Sequence, residues 1–491
     1  MSSYVLYALG ALGLLGASRH GQHTSSCDQL ASVLGDKVST PSSSAYNESV
    51  GSYFSFQEQS LRPACIVRPT DAQDVAAIVK TMGRTYRESG DRFAIRSHGH
   101  MLSAEAANIQ DGVTVDLRPL HQVTVSDDRL TVRIGSGASW LQVYQTLDPL
   151  HLTVAGGRDA SIGTGGFLTG GGISLLSPAV GWGCDEVVEY EIVLANGEIT
   201  VVTEASHPDL FVALKGGSNN FGVVTHFTMK THPYDQIWGG FTAYATDEIP
   251  RQIQAYSDFM EAKNFDPDAN LVQSYGWTSA QPAVFVTDIL LYAKPEPRPP
   301  VFQSLVNNET LLYSTLRRTN MSDFAIEGDS YQVPGLFTLY YTTSFAHQPA
   351  LYSSIVTEFQ HSIPAISAVD GINWYLSIQP TAALQHGRNS LGLDPHDERL
   401  NIVLLIAFFP NPEDAPQVRK ATEALIASVE QITRAAGAYR AFKYLNCADA
   451  RQDPISGYGE TAKAALRAAS RKYDPEGLFQ GDVPGGFKLF V

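Results

Sequence analysis

Two glycine-studded segments constrain this chain more than any other feature. The first, Ile95-Arg96-Ser97-His98-Gly99-His100-Met101, carries two histidines. The second runs Gly156-Gly157-Arg158, Gly163-Thr164-Gly165-Gly166 and Gly170-Gly171-Gly172. Glycine lets the backbone take positive φ and lets its amides come close to a bound group. Successive exposed N–H groups form a concavity for an anion such as a pyrophosphate. One such segment alone is as readily a set of tight turns. Two of them, with histidines in the first, point to a large phosphate-bearing cofactor.

With 491 residues the chain has room for two domains or more. A net charge of -16 argues against a nucleic-acid partner or an anionic membrane surface. No Cys/His spacing suits a metal, and none is expected. Residues 4–17 are uncharged and apolar, too short to span a bilayer comfortably. They read as the core of a signal peptide over 1–18, and so as secretion, although no basic residue precedes them; a buried helix is the alternative. The sequons at Asn47, Asn308 and Asn320 suit that route as glycosylation sites. In an oxidising compartment Cys27 and Cys65 can pair, clipping an N-terminal segment to the first domain. Cys184 reads as a small buried residue.

Ala64 to Pro69 reads as a strand. Thr70 then caps a helix whose apolar face is Val75, Ile78, Val79 and Met82. The strand Phe93-Ala94-Ile95-Arg96 delivers the first glycine segment at its C-terminal end, where ligands favour open α/β sheets. His151 to Ala155 reads as a strand entering the second. Asn196-Gly197 marks a hairpin. From about 237 to 440 glycine thins out, and aromatic strands alternate with helices near 249–262, 349–361 and 414–435. The last stretch regains the character of the first domain, which is therefore discontinuous.

Taken in order, Val67-Arg68-Pro69-Thr70, the 96–100 turn, the second glycine segment, Gly181-Trp182-Gly183-Cys184-Asp185, the 216–225 run and the tail motifs Tyr444-Leu445-Asn446 and Tyr473-Asp474-Pro475-Glu476-Gly477 resemble the berberine-bridge-enzyme-like, fungal branch of the FAD-linked oxidases of the vanillyl-alcohol oxidase superfamily. The match covers most of 60–235 and 440–491. The resemblance implies an α+β fold. A PCMH-type FAD-binding domain of two subdomains would span 19–235 and be completed by 441–491. A substrate domain with an antiparallel sheet would span 236–440 and roof the flavin.

It further implies an FAD held through an 8α bond to His100. From its position alone, His100 could equally cap a strand or sit as a satisfied polar residue. Further cofactor contacts would come from Arg96, Ser97, His98, Gly99, Met101, Gly157, Arg158, Ser161, Gly163, Gly165, Gly166, Gly171, Gly222, Val224, Tyr444 and Asn446. Some relatives attach the flavin a second time through a cysteine, at a position that here holds Arg158 or Asp159, so a single bond is expected. Arg158 could place its charge by the flavin or simply pair with an acid. Catalytic candidates are Tyr444, Cys447, Tyr375 and Gln379, with Tyr340 and Tyr341 also in the roof strands. Cys447 stands where relatives carry a tyrosine. The loop 386–392 either faces the pocket or is a plain turn.

The function expected is an oxidase using O2 on a small secondary-metabolite substrate, with or without cyclisation, acting as a monomer. A secreted carbohydrate oxidase and a cyclase with structural FAD are the alternatives.

Overall fold

The structure, a computed structural model, describes residues 25–307, 309–383, 387–394, 396 and 399–490. The proposed signal segment, Asn308 and His386 lie outside the described residues. The helix Ala72–Ser89 forms as its spacing dictates, but its cap is Asp71, whose Oδ1 accepts from Asp74 N at 2.9 Å. Thr70 lies one residue too early, and its N–H and hydroxyl both donate to the Asp74 carboxylate. Gly90, at φ +78°, ends the helix.

Val75, Ile78, Val79 and Met82 pack on a four-stranded sheet ordered Val38–Ser39, Cys65–Val67, Val113–Asp116, Phe93–Arg96. Its last three strands are parallel. Parallel strands need a crossover, and the 72–89 helix supplies it between Cys65–Val67 and Phe93–Arg96, which flank Val113–Asp116. Cys27 and Cys65 form the expected disulfide, fixing the helix Ser26–Leu34 to this layer.

A second, antiparallel sheet runs Val123–Val125, Thr131–Gly135, Val223–Lys230, Val187–Val193, Ile199–Val202. Its Asn196-Gly197 turn is present, with Gly197 at φ +76°. The strand expected over 151–155 shrinks to Leu152–Thr153. His151 turns left-handed at φ +55°, and Gly156 and Gly157 bend against Trp140.

The third sheet is antiparallel, in the order Leu311–Ser314, Ile237–Tyr244, Gln281–Tyr292, Ala269–Thr278, Asn373–Pro380, Leu400–Phe409, Phe337–Ala346, Tyr439–Arg440, and Arg317–Thr319 also pairs with Ile237–Tyr244. The helices Ile249–Met260, Pro349–Ser362 and Ala415–Ala435 share a hydrophobic core with one face of it. Strand side chains alternate. Trp374, Leu376 and Ile378 join that core, so Tyr375, Ser377 and Gln379 lie on the opposite face.

The C-terminal residues Phe442, Tyr444, Leu466 and Phe487 share the core built by 132–229. Asn220 Nδ2 donates to Phe487 O at 2.9 Å, tying the tail to the 216–222 loop. Among the described residues no helix is long and apolar enough to cross a membrane, and no His/Cys/Asp/Glu cluster could hold a metal ion.

Candidate active site

The turn after Phe93–Arg96 is braced from beneath. Arg96 is fully buried. Its Nη1 donates to Ser49 O at 2.6 Å and its Nη2 to Ser52 O at 3.0 Å and His98 O at 3.2 Å, with the guanidinium 3.7 Å from the centroid of the Tyr53 ring. All of these partners belong to the protein, so Arg96 shapes the turn from within. Gly99 is at φ +78°, and a Cβ there would meet the Tyr53 ring at 2.5 Å.

Ser97 stitches the two glycine segments together: its Oγ donates to Ser136 O at 2.6 Å and accepts from Gly165 N at 3.3 Å. A Cβ on Gly163 would lie 2.3 Å from that oxygen and 2.8 Å from His98 N. Gly166 is different, since a Cβ there would have nothing within 4 Å. The segments thus close on each other at Gly163 and open at Gly166.

Burial, reinforced for His98 by the charges of Arg96 and Arg118, pushes both histidines down to about 4. Each imidazole is neutral at physiological pH. The His100 ring stacks on Phe54 at 4.1 Å between centroids. Its Nε2 is buried and has no hydrogen-bond partner. Such a group costs on the order of 1–3 kcal/mol unless something binds it. A neutral, buried, unpartnered nitrogen beside the open face of a glycine cradle fits a flavin at this place.

Phe54 continues toward the sheet. Phe408 is 6.4 Å from it and Tyr340 is 6.3 Å from Phe408, both edge-on. A cavity of about 410 Å³ adjoins, walled by Phe56, Leu102, Phe337, Tyr340 and Ala448 together with the charged Arg419, Asp449 and Arg451. It therefore borders both the chain just after His100 and the residue after Cys447. Arg158 reaches the polar face of the sheet, where its Nη2 donates to Gln379 Oε1 at 2.8 Å and its Nη1 to Asn270 Oδ1 at 3.4 Å. Tyr444 accepts from Ile173 N at 3.2 Å and from Asn446 Nδ2 at 3.1 Å, and Asn446 also donates to Phe167 O.

Burial holds the phenols of Tyr340 and Tyr444 well above their usual range, and pushes the Cys447 thiol up to about 12. All three are hydrogen-bond donors at neutral pH, not bases. Burial raises Asp159 to about 6.

The expected residues divide as follows. His98, Gly99, His100, Gly163, Gly165, Gly166, Arg158, Gln379, Tyr444, Asn446 and Cys447 belong to the two glycine segments and the groups bridging from them to the third sheet. Gly157 is required by Trp140, which a Cβ would meet at 2.5 Å, and Gly222 by Val193 O at 2.6 Å. Gly171, at φ +115°, backs onto Trp182 and Tyr444. Val224 and Met101 pack on the surrounding core. Ser161 is exposed, and its hydroxyl donates to Asp329 on the helix Met321–Ser330. Tyr375 packs edge-on to Phe285 at 6.1 Å, away from Arg158. Tyr341 lies on the helix side of its strand, held by Glu423 and Arg419. In the loop 386–392, Asn389 donates to Asp185 and Ser390 to Lys215 O. Phe54, Asn270 and Phe408 escaped the sequence reading, because no local pattern links them to the glycine segments.

Residues 63–203 match the family model described as an FAD binding domain. The FAD-dependent monooxygenase drtC of Aspergillus calidoustus is 35% identical over 93% of this chain and 88% of its own length. Among solved structures, 6-hydroxy-D-nicotine oxidase of Arthrobacter nicotinovorans superposes with a TM-score of 0.76 at 19% identity, covering 90% of this chain and 96% of that one. The glucooligosaccharide oxidase of Acremonium strictum, with its 6-S-cysteinyl, 8α-N1-histidyl FAD, gives 0.73 at 18% identity over 95% and 100%.

Fold and site thus define an FAD-dependent oxidoreductase, with FAD as cofactor. The chain belongs to the family of fungal FAD-dependent monooxygenases and FAD-linked oxidoreductases, whose fold is the PCMH type.

Proposed function

We propose that this enzyme is an oxidase that carries FAD through one covalent bond to His100 and oxidises a small secondary-metabolite alcohol, amine or phenol, with O2 as the acceptor. The observation that carries the reading is the buried, unpartnered Nε2 of His100, on a neutral ring stacked against Phe54. Arg158 and Asp159 stand where a second attachment needs a thiol, which favours a single bond over the doubly linked arrangement and so over a carbohydrate oxidase.

The division of labour follows the sheets: 19–235 with 441–491 would hold the cofactor, and 236–440 the substrate. When bound, FAD supplies the acceptor for the substrate's hydride. The open backbone at Gly166 would take its phosphates, the neighbouring Gly165 N–H being held by Ser97 Oγ. Tyr340 and Tyr444 would orient the substrate's reacting oxygen or nitrogen by hydrogen bonds, the O–H or N–H proton passing to water as the hydride leaves, and the cavity would take the substrate's body. Cys447, short and neutral, makes room where a phenol would stand. The Cys27–Cys65 disulfide suits a secretory route, and Asn47 is exposed for glycosylation.

Acid-denatured wild type should keep yellow, fluorescent flavin on the polypeptide in a denaturing gel. His100→Ala should release it. Flavin lost from acid-denatured wild type would sink the covalent assignment.

A further inference from the structure

Arg158 is an unusual cation. Its guanidinium has two protein acceptors, Gln379 Oε1 and Asn270 Oδ1, and both are neutral amides. Among the described residues no carboxylate lies within ion-pair distance of it. The nearest in sequence, Asp159, turns the other way, with its Oδ1 2.5 Å from where a Cβ on Gly328 would stand. The Nε of Arg158 has no protein acceptor among the described residues and is not buried, so this third donor group opens on accessible space. The first charge the guanidinium feels is that of Asp159, which stays beyond ion-pair distance, and Tyr444 and Cys447 also lie within its reach.

Burying a charge without a counter-charge is costly. An arginine retains its charge under all accessible conditions, so it cannot escape by neutralising. Two amides orient the fork but leave it positive.

We propose that Arg158 is the substrate-recognition cation of this enzyme, and that the substrate carries a carboxylate on an aromatic frame. The planar guanidinium presents paired N–H groups that match a carboxylate. Phe54, Phe408 and Tyr340 offer rings along the same face, and the 410 Å³ cavity beside Tyr340 is of a size for a drug-like aromatic body. Gln379 and Asn270, which grip the guanidinium from neighbouring strands, are positioning residues. The proposal rests on reading this region as the flavin and substrate site, which flavin retention in acid tests separately.

The test is a titration of the flavin-loaded enzyme with sodium benzoate and, in parallel, with benzamide, its neutral counterpart of the same shape. Each is followed by the change in visible flavin absorbance. Benzoate should bind at least about tenfold more tightly in wild type. Arg158→Met should lower benzoate affinity by about 10- to 100-fold, the range for a charged hydrogen bond, and leave benzamide unchanged. Arg158→Lys, which keeps the charge and loses the fork, should fall between them.

Equal binding of benzoate and benzamide by wild type overturns the proposal whatever the variants do. So does a benzoate preference that survives in Arg158→Met. A changed flavin midpoint potential in Arg158→Met with benzoate binding intact would assign the charge to the flavin instead, and would likewise overturn it. Should Arg158→Met fail to load flavin, the lysine variant and the wild-type comparison still decide.

Discussion

Asp288 lies in the middle strand Gln281–Tyr292 with no exposed surface. Gln273 Nε2 donates to its Oδ1 at 3.0 Å and Thr242 Oγ1 to its Oδ2 at 3.4 Å. Burial outweighs both bonds and the distant charge of Arg251, and pushes the carboxyl from 3.8 up to about 7. The folded state therefore binds this proton more tightly than the unfolded chain does. Where the folded state holds more protons, stability falls as pH rises. The loss begins near the unfolded value of 3.8 and is complete above about 7, for a total of about 4 kcal/mol. Between pH 5 and pH 8 the share of this one group is about 2–3 kcal/mol.

Asp288→Asn removes the ionisation and keeps both bonds, because the amide oxygen can accept from Gln273 and the amide N–H can donate to Thr242. The variant should match wild type below about pH 4, already be the more stable near pH 5 and be more so near pH 8. In thermal melts of the flavin-loaded protein, at about 2.1 cal/mol/K per residue over 491 residues, the gap in Tm should widen by roughly 2 to 3 °C between pH 5 and pH 8. Other groups titrate as well, so the quantity to read is the difference between variant and wild type. A constant gap, or a variant that is the weaker at pH 8, would show that burial does not hold this carboxyl protonated, and the reasoning would fail.

Two further outcomes follow from local geometry. Removing the clip with Cys27→Ser and Cys65→Ser together should cost about 3–4 kcal/mol, the chain-entropy value for a loop of sequence separation 38, read as a lower melting temperature with flavin still bound. Gly163→Ala should press a methyl into Ser97 Oγ and the His98 amide, costing about 1–3 kcal/mol and lowering flavin occupancy while far-UV circular dichroism stays close to wild type.

The region matching the FAD binding domain was legible because its signals are local. The helix Ala72–Ser89 announces its buried face by spacing, and only the cap slipped by a residue, since Thr70 and Asp71 are both good caps. Gly99 and Gly163 mark real close approaches. Gly156 and Gly157 do too, but to Trp140, and the sequence cannot say whether a glycine makes room for a ligand or for a neighbouring ring. What stayed hidden depends on distant pairs. Arg158 meets Gln379 across 221 residues, and Phe54 meets His100 only because the turn folds back over the helix Ser44–Gly51 region. Of the two roles open to Arg158 in the sequence, the pairing with an acid is not made, because the acid adjacent in sequence turns away and the acceptors come from another sheet.

The third sheet reads through register, not motif. Tyr340 and Tyr341 are neighbours in one strand and so cannot both face the site; Tyr341 goes to the helices and Tyr340 to Phe408. The same alternation decides Arg158's partners. Gln273 pairs with Ile378, which places Asn270 and Gln379 on one face as diagonal neighbours. A slip of one residue between these strands would turn Gln379 into the helix core and bring Ile378 to the guanidinium. The buried row Trp374, Leu376, Ile378 forbids that slip, because each would lose its place in the core. The apolar side of the strand therefore fixes the polar side, and with it the two amide oxygens that aim the buried cation.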